Sequence, residues 1–237
     1  MRLSSLAKST ARYVVRKHRF SKRYDVINYF ARRNNANSYL EIGINKGRCL
    51  ERVNIEIKVG VDPNPRLDSE GFDIRAATSD DFFGKNNSTF DVVFIDGLHL
   101  AEQVLKDIRN SLACLNSGGV ILLHDCNPQS QQAASRQIPF NENRHWNGDT
   151  WKAIAFIHEK FPNLFSRVLD LDQGIGVIFP GEKPDFNLGQ LDFAIQNTSS
   201  SWFDSHDWFD LDRNRSKLIG LIDNRKELEA EIASVGL

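Results

Sequence analysis

The chain has 237 residues, with 30 Lys and Arg against 31 Asp and Glu, and its formal net charge is −1 at pH 7. This length suits one α/β domain with extensions better than two independent domains. No apolar stretch approaches the roughly 18–20 residues that span a bilayer. The three cysteines form no C-x-x-C pair. They argue against a disulfide framework or a zinc knuckle, and we expect a reducing, cytoplasmic location.

Positive charge is concentrated at the start of the chain, where residues 1–33 hold ten Lys and Arg and one acid, Asp25. This composition favours a basic helical extension, residues 1–37, packed beside the core or beside a partner subunit. A transit peptide or a contact with anionic surfaces is the alternative. The basic cluster lacks interleaved stacking motifs, so we do not expect nucleic acid as a partner.

Short apolar runs alternate with amphipathic stretches between residues 38 and 180, a pattern typical of a parallel sheet with helices on both faces. We predict an α/β fold: a Rossmann-like, doubly wound, mostly parallel sheet that ends in an antiparallel hairpin. Helical extensions flank it, and residues 181–237 pack on the same domain. The predicted strands are Ser38–Ile42, Lys58–Asp62, Ile74–Ala77, Phe90–Ile95 and Val120–Leu123, with a hairpin of Ser166–Leu171 and Gly174–Phe179. Residues Gly47–Val53 are predicted to begin a helix. Three further helices are predicted over Ala101–Leu115, Trp151–Lys160 and Arg215–Ile232.

The first strand is followed by the pattern Glu41-x-Gly43-x-Asn45-x-Gly47. Glycines let the backbone approach a ligand closely and turn tightly. The G-x-G-x-x-G spacing that binds a pyrophosphate is absent, and an acid at the strand end would repel a pyrophosphate. An acid suits a ligand with a cationic amino group and no phosphate, such as S-adenosylmethionine.

Polar residues also follow the second and third strands. Asp62 stands where nucleotide-binding folds place an acid on ribose hydroxyls, although it could simply open the turn of Asp62-Pro63-Asn64-Pro65. Thr78, Ser79 and Asp80 could contact an adenine edge, cap the next helix, or do both.

Two acids and two imidazoles follow the fourth and fifth strands: Asp96 and His99, then His124 and Asp125. These strand ends should converge, and the residue types suit a divalent ion. The alternative is that the acids cap helices and the histidines donate supporting hydrogen bonds.

The runs YLEIGINKG, KVGVDP, ATSDDFF, FDVVFIDGLH and GGVILLHD, spread over residues 38–179, resemble the class I S-adenosylmethionine-dependent methyltransferases. The most similar branch includes catechol O-methyltransferase-like enzymes and antibiotic- and glycan-tailoring enzymes. The resemblance implies that S-adenosylmethionine is the cofactor, with or without a divalent metal such as Mg²⁺. It assigns the donor site to Glu41, Gly43, Asn45, Gly47, Asp62, Thr78, Ser79, Asp80 and Asp96.

The resemblance also implies that Asp96 and Asp125 bind the metal, with His124 as a third ligand, and that His99 deprotonates the acceptor. Asp96 and His124 belong to the catalytic set with His99. Two departures from the catechol-type pattern are relevant. Cys126 replaces an asparagine after Asp125, and His124 replaces an acid found in some tailoring relatives, so the ligand set also suits manganese, iron or zinc.

The expected reaction is O-methylation of a hydroxyl on a small molecule or sugar. Three alternatives stay open: a metal-free methyltransferase that uses His99 or His124 as base, a non-catalytic donor-binding scaffold, and a nicotinamide oxidoreductase. The missing G-x-G-x-x-G and the terminal hairpin count against the last of these.

The polar segment Gln129–Thr150, which includes His145, Trp146 and Asp149, either covers an acceptor pocket or is an ordinary surface loop. The aromatic segment Trp202–Trp208 could form a lid, a homo-oligomer contact or local packing.

Overall fold

A computed structural model describes residues 20–67, 71–137, 146–181 and 187–236. In these residues, eight strands form one sheet with the order β3-β2-β1-β4-β5-β7-β6-β8. The pairs among β1 to β5 are parallel, whereas β7 runs antiparallel to both β5 and β6. The predicted fold class is therefore confirmed. The strands are β1 (Ser38–Ile42), β2 (Ile57–Asp62), β3 (Asp73–Ala76), β4 (Phe90–Ile95), β5 (Leu115–Leu123), β6 (Phe165–Leu169), β7 (Ile175–Phe179) and β8 (Leu221–Ile222).

Eight α-helices lie in the described residues, and none has the length and apolar composition needed to cross a bilayer. They are α1 (Arg23–Arg33), α2 (Ser79–Phe83), α3 (Ala101–Ala113), α4 (Thr150–Lys160), α5 (Leu188–Asn197), α6 (Ser199–Asp204), α7 (Trp208–Ile219) and α8 (Arg225–Ser234).

The sheet has a hydrophobic core on each face. Successive side chains of a strand point to opposite faces, so β5 contributes Ile121 and Leu123 to one core and Val120 and Leu122 to the other. Helices α3, α4 and α7 cover the first core, whereas α1 and α8 cover the second. Burial on both faces explains why the central strands are almost uninterrupted apolar runs.

The C-terminal prediction needs a correction, because Arg215–Ile232 is not one helix. Helix α7 ends at Ile219, and Gly220 takes a left-handed conformation with φ of 55°. The next two residues form β8, which pairs in parallel with β6. Asn224 then caps α8 by accepting the backbone N–H groups of Lys226 and Glu227. Leu221 and Ile222 therefore belong to the edge of the sheet and not to the apolar face of a helix.

Two further expectations are modified. The helix predicted to open at Gly47–Val53 is only a short 3-10 turn, Leu50–Arg52. In the Trp202–Trp208 segment, Trp202 is 6% exposed and packs on Phe156 in the first core, so local packing accounts for this tryptophan. The domain boundaries stay a prediction, and residues 1–19 of the basic extension lie outside the described residues.

Candidate active site

The carboxyl ends of β1, β4 and β5 are tied together by backbone hydrogen bonds. The N–H of Asp96 donates to the carbonyl of Ile42 at 2.8 Å, and the N–H of His124 donates to the carbonyl of Ile95 at 3.0 Å. Gly43 donates to the carbonyl of Val61 at 2.7 Å. The motifs read separately along the sequence therefore meet at one edge, where the strand order reverses and doubly wound folds bind ligands.

A cavity of about 680 Å³ opens at this edge, within the range of ordinary small-molecule sites. Seven of the nine predicted donor residues line it: Gly43, Asn45, Asp62, Thr78, Ser79, Asp80 and Asp96. We call it the donor cavity. The other two donor residues do not line it. Glu41 lines a neighbouring cavity, and Gly47 packs beside Leu67.

Asp62 orders the loop that follows β1. Its carboxylate accepts the backbone N–H of Asn45 and, on the other oxygen, the N–H of Asn64, both at 2.8 Å. Asn45 has a positive φ of 46°, a conformation that asparagine tolerates better than most residues. The structure thus shows the turn-forming role of Asp62, and its contact with a ribose stays a prediction.

Glu41 is buried at 2% exposure, and its Oε2 accepts the hydroxyl of Tyr39 at 2.7 Å. Burial raises the pKa of Glu41 to about 8, and the charge on Asp96 acts in the same direction. The carboxyl group therefore binds a proton more strongly in the folded chain than in the unfolded chain.

This pKa shift predicts an unusual pH dependence of stability. The contribution of Glu41 is fully favourable below its unfolded pKa of about 4.5 and is lost as the pH rises through about 8. Without donor, Glu41→Gln should therefore be more stable than wild type at pH 9, by at least about 1 kcal/mol or a few °C in Tm. Melting curves from pH 5 to 9 measure the difference, with exposed Glu56→Gln as control. A difference that does not change with pH would contradict the expectation.

The segment predicted to face adenine is held by a residue that the sequence analysis missed. Thr78 caps α2 by accepting the N–H of Asp81. Gln103 of α3 also lines the donor cavity, and its Nε2 donates to Ser79 Oγ at 3.1 Å and to Asp80 Oδ1 at 3.0 Å. The hydrogen bond from Gln103 is the main cause that lowers the pKa of Asp80. Only the packing of α3 against α2 reveals this role.

Asp96, His124 and Asp125 form the predicted acid and imidazole cluster. His124 Nδ1 lies 2.9 Å from Asp125 Oδ2 and 3.2 Å from Asp96 Oδ1. One ligand atom from each residue lies within 4.8 Å of the other two. We call these three residues the acid–imidazole cluster. Asp125 has a positive φ of 61°, and Asn147 Nδ2 donates to its Oδ1 at 2.7 Å.

The protonation of this cluster follows from its charges. Burial alone would lower the pKa of His124, but Asp96 and Asp125 outweigh burial and raise it to about 10. Burial would likewise raise the pKa of Asp96, but His124 and Arg23 outweigh it and hold that pKa well below its usual range. Both ring nitrogens of His124 are buried, and neither forms a hydrogen bond of good geometry with a described residue. Two carboxylates and an imidazole facing one another suit a cation between them.

His99 lies between the donor cavity and this cluster. Its Nδ1 is 3.2 Å from the carbonyl oxygen of Trp146, which can only accept, so Nδ1 carries a hydrogen. Its Nε2 then faces Asp125 Oδ2 at 3.3 Å and Asp96 Oδ1 at 3.6 Å. The ring stacks on Trp146 with centroids 5.1 Å apart. The predicted base thus points its second nitrogen at the cluster.

Arg23 is the second residue that the sequence analysis missed. Its Nη1 donates to Asp96 Oδ2 at 2.5 Å, while its backbone N–H and Nε both donate to Asp172 Oδ2 at 3.1 Å. Asp172 lies in the turn between β6 and β7. One oxygen of Asp96 therefore faces the imidazoles and the other faces Arg23. No local signal could show this contact, because Arg23 and Asp96 are 73 positions apart.

Near its C-terminal end, just before α4, the polar segment Gln129–Thr150 contacts α3. Asp149 Oδ1 accepts the N–H of Ala101 at 2.8 Å, and its Oδ2 accepts Arg136 Nη1 at 2.6 Å. Residues 138–145, including His145, lie outside the described residues. That this segment covers an acceptor pocket stays a prediction.

Comparison with known proteins agrees with this geometry. Residues 26–126 match a family model described as a methyltransferase domain. This range includes the acid–imidazole cluster and the loop Gly43–Gly47 after β1, which we call the donor loop. No curated protein matches the sequence significantly. A solved protein from Corynebacterium glutamicum is 11% identical, with a TM-score of 0.51 over 78% of this chain and 94% of its own. The S-adenosylhomocysteine-bound methyltransferase from Podospora anserina is 15% identical, with a TM-score of 0.50 over 69% of this chain and 80% of its own.

At these identities the two solved proteins show a shared fold, and the family model supplies the activity class. Residues 26–126, somewhat less than half of the chain, thus match a methyltransferase domain, and the fold and the ordered strand-end motifs agree with an S-adenosylmethionine-dependent methyltransferase.

Proposed function

We propose that the protein transfers the methyl group of S-adenosylmethionine to a hydroxyl group of a small molecule or sugar, beside a divalent metal ion held by Asp96, His124 and Asp125. The observation that carries this proposal is the position of Asp96, which lines the donor cavity and also belongs to the acid–imidazole cluster. A donor methyl group and an acceptor oxygen bound at these two places would therefore be neighbours.

The donor residues follow from the cavity lining. Asp62 would accept ribose hydroxyls, and Thr78, Ser79 and Asp80 would contact the adenine, because all four residues line the donor cavity. Glu41 is placed next to the loop of Gly43 and Asn45, where its carboxyl group would face the amino group of the donor. We assign Gly47 a supporting role in the turn of this loop.

The acid–imidazole cluster fits a divalent cation by the chemistry of its donor atoms. Two carboxylate oxygens and one imidazole nitrogen suit manganese, iron or zinc as well as magnesium. Such an ion would lower the pKa of a hydroxyl bound to it. Without a metal ion, His124 carries a proton, and metal binding would release that proton.

His99 is the proposed proton acceptor. Its Nδ1–H is held by the carbonyl of Trp146, and its Nε2 faces the carboxylates of Asp96 and Asp125. Burial lowers the pKa of His99, but these two carboxylates outweigh burial and raise it. A metal ion held between the carboxylates would oppose that effect and leave Nε2 free to accept a proton. As the acceptor hydroxyl gives its proton to Nε2, the oxygen bonds to the methyl carbon. The carbon–sulfur bond breaks at the same time, and its electron pair stays on sulfur as S-adenosylhomocysteine. Positioning of the two reactants supplies on the order of 7–11 kcal/mol of the barrier reduction.

The first test is the melting temperature of the whole chain with S-adenosylhomocysteine, after chelation and after adding back Mg²⁺ or Mn²⁺. A ligand that binds only the native state must raise Tm by mass action, by about 2.7 kcal/mol of stability at a hundred times Kd. We expect a donor-product shift that becomes larger with metal. The absence of any shift with S-adenosylhomocysteine would overturn the proposal.

The same measurement separates a metal-free enzyme from the proposed one. The contacts of His124 support this second candidate, because an imidazolium ion 2.9 Å from Asp125 Oδ2 and 3.2 Å from Asp96 Oδ1 can satisfy both carboxylates without a metal. In that case the shift would be indifferent to metal, and turnover would survive chelation. A non-catalytic scaffold would bind S-adenosylhomocysteine but transfer no tritiated methyl group to any hydroxylated acceptor.

A further inference from the structure

A second cavity, of about 590 Å³, lies beside the donor cavity. The two cavities share Gly43, Asn45, Arg66 and Asp96, so the second one also reaches the acid–imidazole cluster. Its lining is strongly basic. The cations around it are Lys22, Arg23, Lys46, Arg48, Arg52 and Arg66.

The carboxylates of this cavity do not balance its cations. Asp172 is paired with Lys22 and Arg23, and Asp96 is paired with Arg23. Glu41, the third acid, is buried, hydrogen-bonded to Tyr39, and carries a pKa raised to about 8. Without the donor it therefore adds little negative charge at neutral pH, and with the donor bound its charge would be balanced by the amino group of the donor.

Four cations of this cavity have no acidic partner among the described residues. Within the described ranges, no carboxylate oxygen lies within 4.0 Å of the charged groups of Lys46, Arg48, Arg52 and Arg66. Arg52 Nη1 instead donates to the carbonyl of Arg48 at 2.8 Å, and its guanidinium lies over the ring of Tyr24. The cavity thus has a local excess of positive charge in a concave site, which attracts and concentrates anions.

We propose that this basic cavity binds an anionic group, a phosphate or a carboxylate, of the methyl acceptor, and so places the acceptor hydroxyl at the Asp96 end of the cavity. This assignment rests on the proposed methyl transfer. S-adenosylmethionine brings one carboxylate, so the donor alone accounts for at most one of the four unpaired cations. Guanidinium groups suit both anions, because their planar donors match phosphate and carboxylate oxygens.

The test uses the full chain saturated with S-adenosylhomocysteine, in chelator so that the anion cannot ligate a metal. Inorganic phosphate and acetate are titrated at constant ionic strength, and Tm and heat of binding are recorded. We expect phosphate or acetate to stabilise the wild-type complex. Arg48→Gln and Arg52→Gln should each weaken anion binding about three- to fivefold, and the double variant about tenfold. Affinity for S-adenosylhomocysteine should stay within about twofold, since neither side chain lines the donor cavity.

Arg213→Gln is the matched control, because Arg213 is exposed on α7 and does not line this cavity. A larger Tm shift with phosphate than with acetate indicates that the acceptor is a phosphate ester. Tm shifts that are equal when divided by the charge of the anion indicate a carboxylate. The inference is overturned if neither anion binds, or if the double variant binds as well as wild type. It is also overturned if anions bind only in the absence of S-adenosylhomocysteine, since the donor carboxylate would then occupy the site. Loss of wild-type S-adenosylhomocysteine binding, measured first, is instead the failure of the proposed function.

Discussion

Asp96→Asn is expected to lower methyl transfer at least about a hundredfold and to abolish the effect of metal on Tm. The carboxylate faces His124 and His99 through one oxygen and Arg23 through the other. An amide of the same shape removes its negative charge, which the imidazole and guanidinium groups need as a partner. The measurements are metal affinity by calorimetry and the rate of transfer from tritiated donor to the best hydroxylated acceptor found.

Folding must be separated from chemistry in this experiment, because removing one partner of a buried ion pair can cost about 3–5 kcal/mol. Retained binding of S-adenosylhomocysteine shows that the variant is folded. Asp73→Asn is a suitable control, since Asp73 forms an exposed salt bridge with Arg75 on β3, away from the acid–imidazole cluster. Metal affinity and transfer rate equal to wild type in Asp96→Asn would refute the assignment of this residue.

Gly43→Ala is expected to cost about 2–4 kcal/mol of stability and to abolish the Tm shift with S-adenosylhomocysteine. A Cβ at this position would lie 2.1 Å from the carbonyl oxygen of Asp96 and 2.7 Å from Cα of Gly97. Both atoms belong to the backbone, so no side chain can rotate away. The φ of 89° adds a conformational penalty for any residue with a Cβ.

Gly118→Ala separates these two causes. Gly118 has a similar positive φ of 73°, but an added Cβ would meet nothing within 4 Å. It should therefore lose only the backbone contribution, about 1 kcal/mol, and keep the full response to S-adenosylhomocysteine. Equal losses in the two variants would mean that the close approach of Gly43 to the loop after β4 has no energetic consequence.

The strands of the central sheet were predictable because their information is local. Phe90–Ile95 was predicted with the bounds that the structure shows, and β1 likewise. A strand buried on both faces must be a short apolar run, and turn residues must follow it. Edge elements are less determined by local pattern, which is why the two-residue β8 was read as part of a helix.

The site residues likewise fall into those that local sequence predicts and those that it does not. The strand-end motifs placed Gly43, Asp62, Asp96 and His124 in one region, because parallel strands end at a common edge. Arg23 and Gln103 could not be found, since each acts on residues that only the packing of helices brings near. The tautomer of His99 also depends on a carbonyl 47 positions away.

The sequence by itself therefore determined the order of strands β1 to β7, the chemical class of the donor site and the membership of the acid–imidazole cluster. These follow from apolar periodicity and from which residues stand at strand ends, both of which are local properties of the chain. The tertiary structure alone decided how the cluster is charged and held, and how the basic cavity adjoins it. Burial, distance and dielectric environment set these properties, and they arise only when Arg23, Asp172 and the donor loop meet across more than a hundred residues of chain.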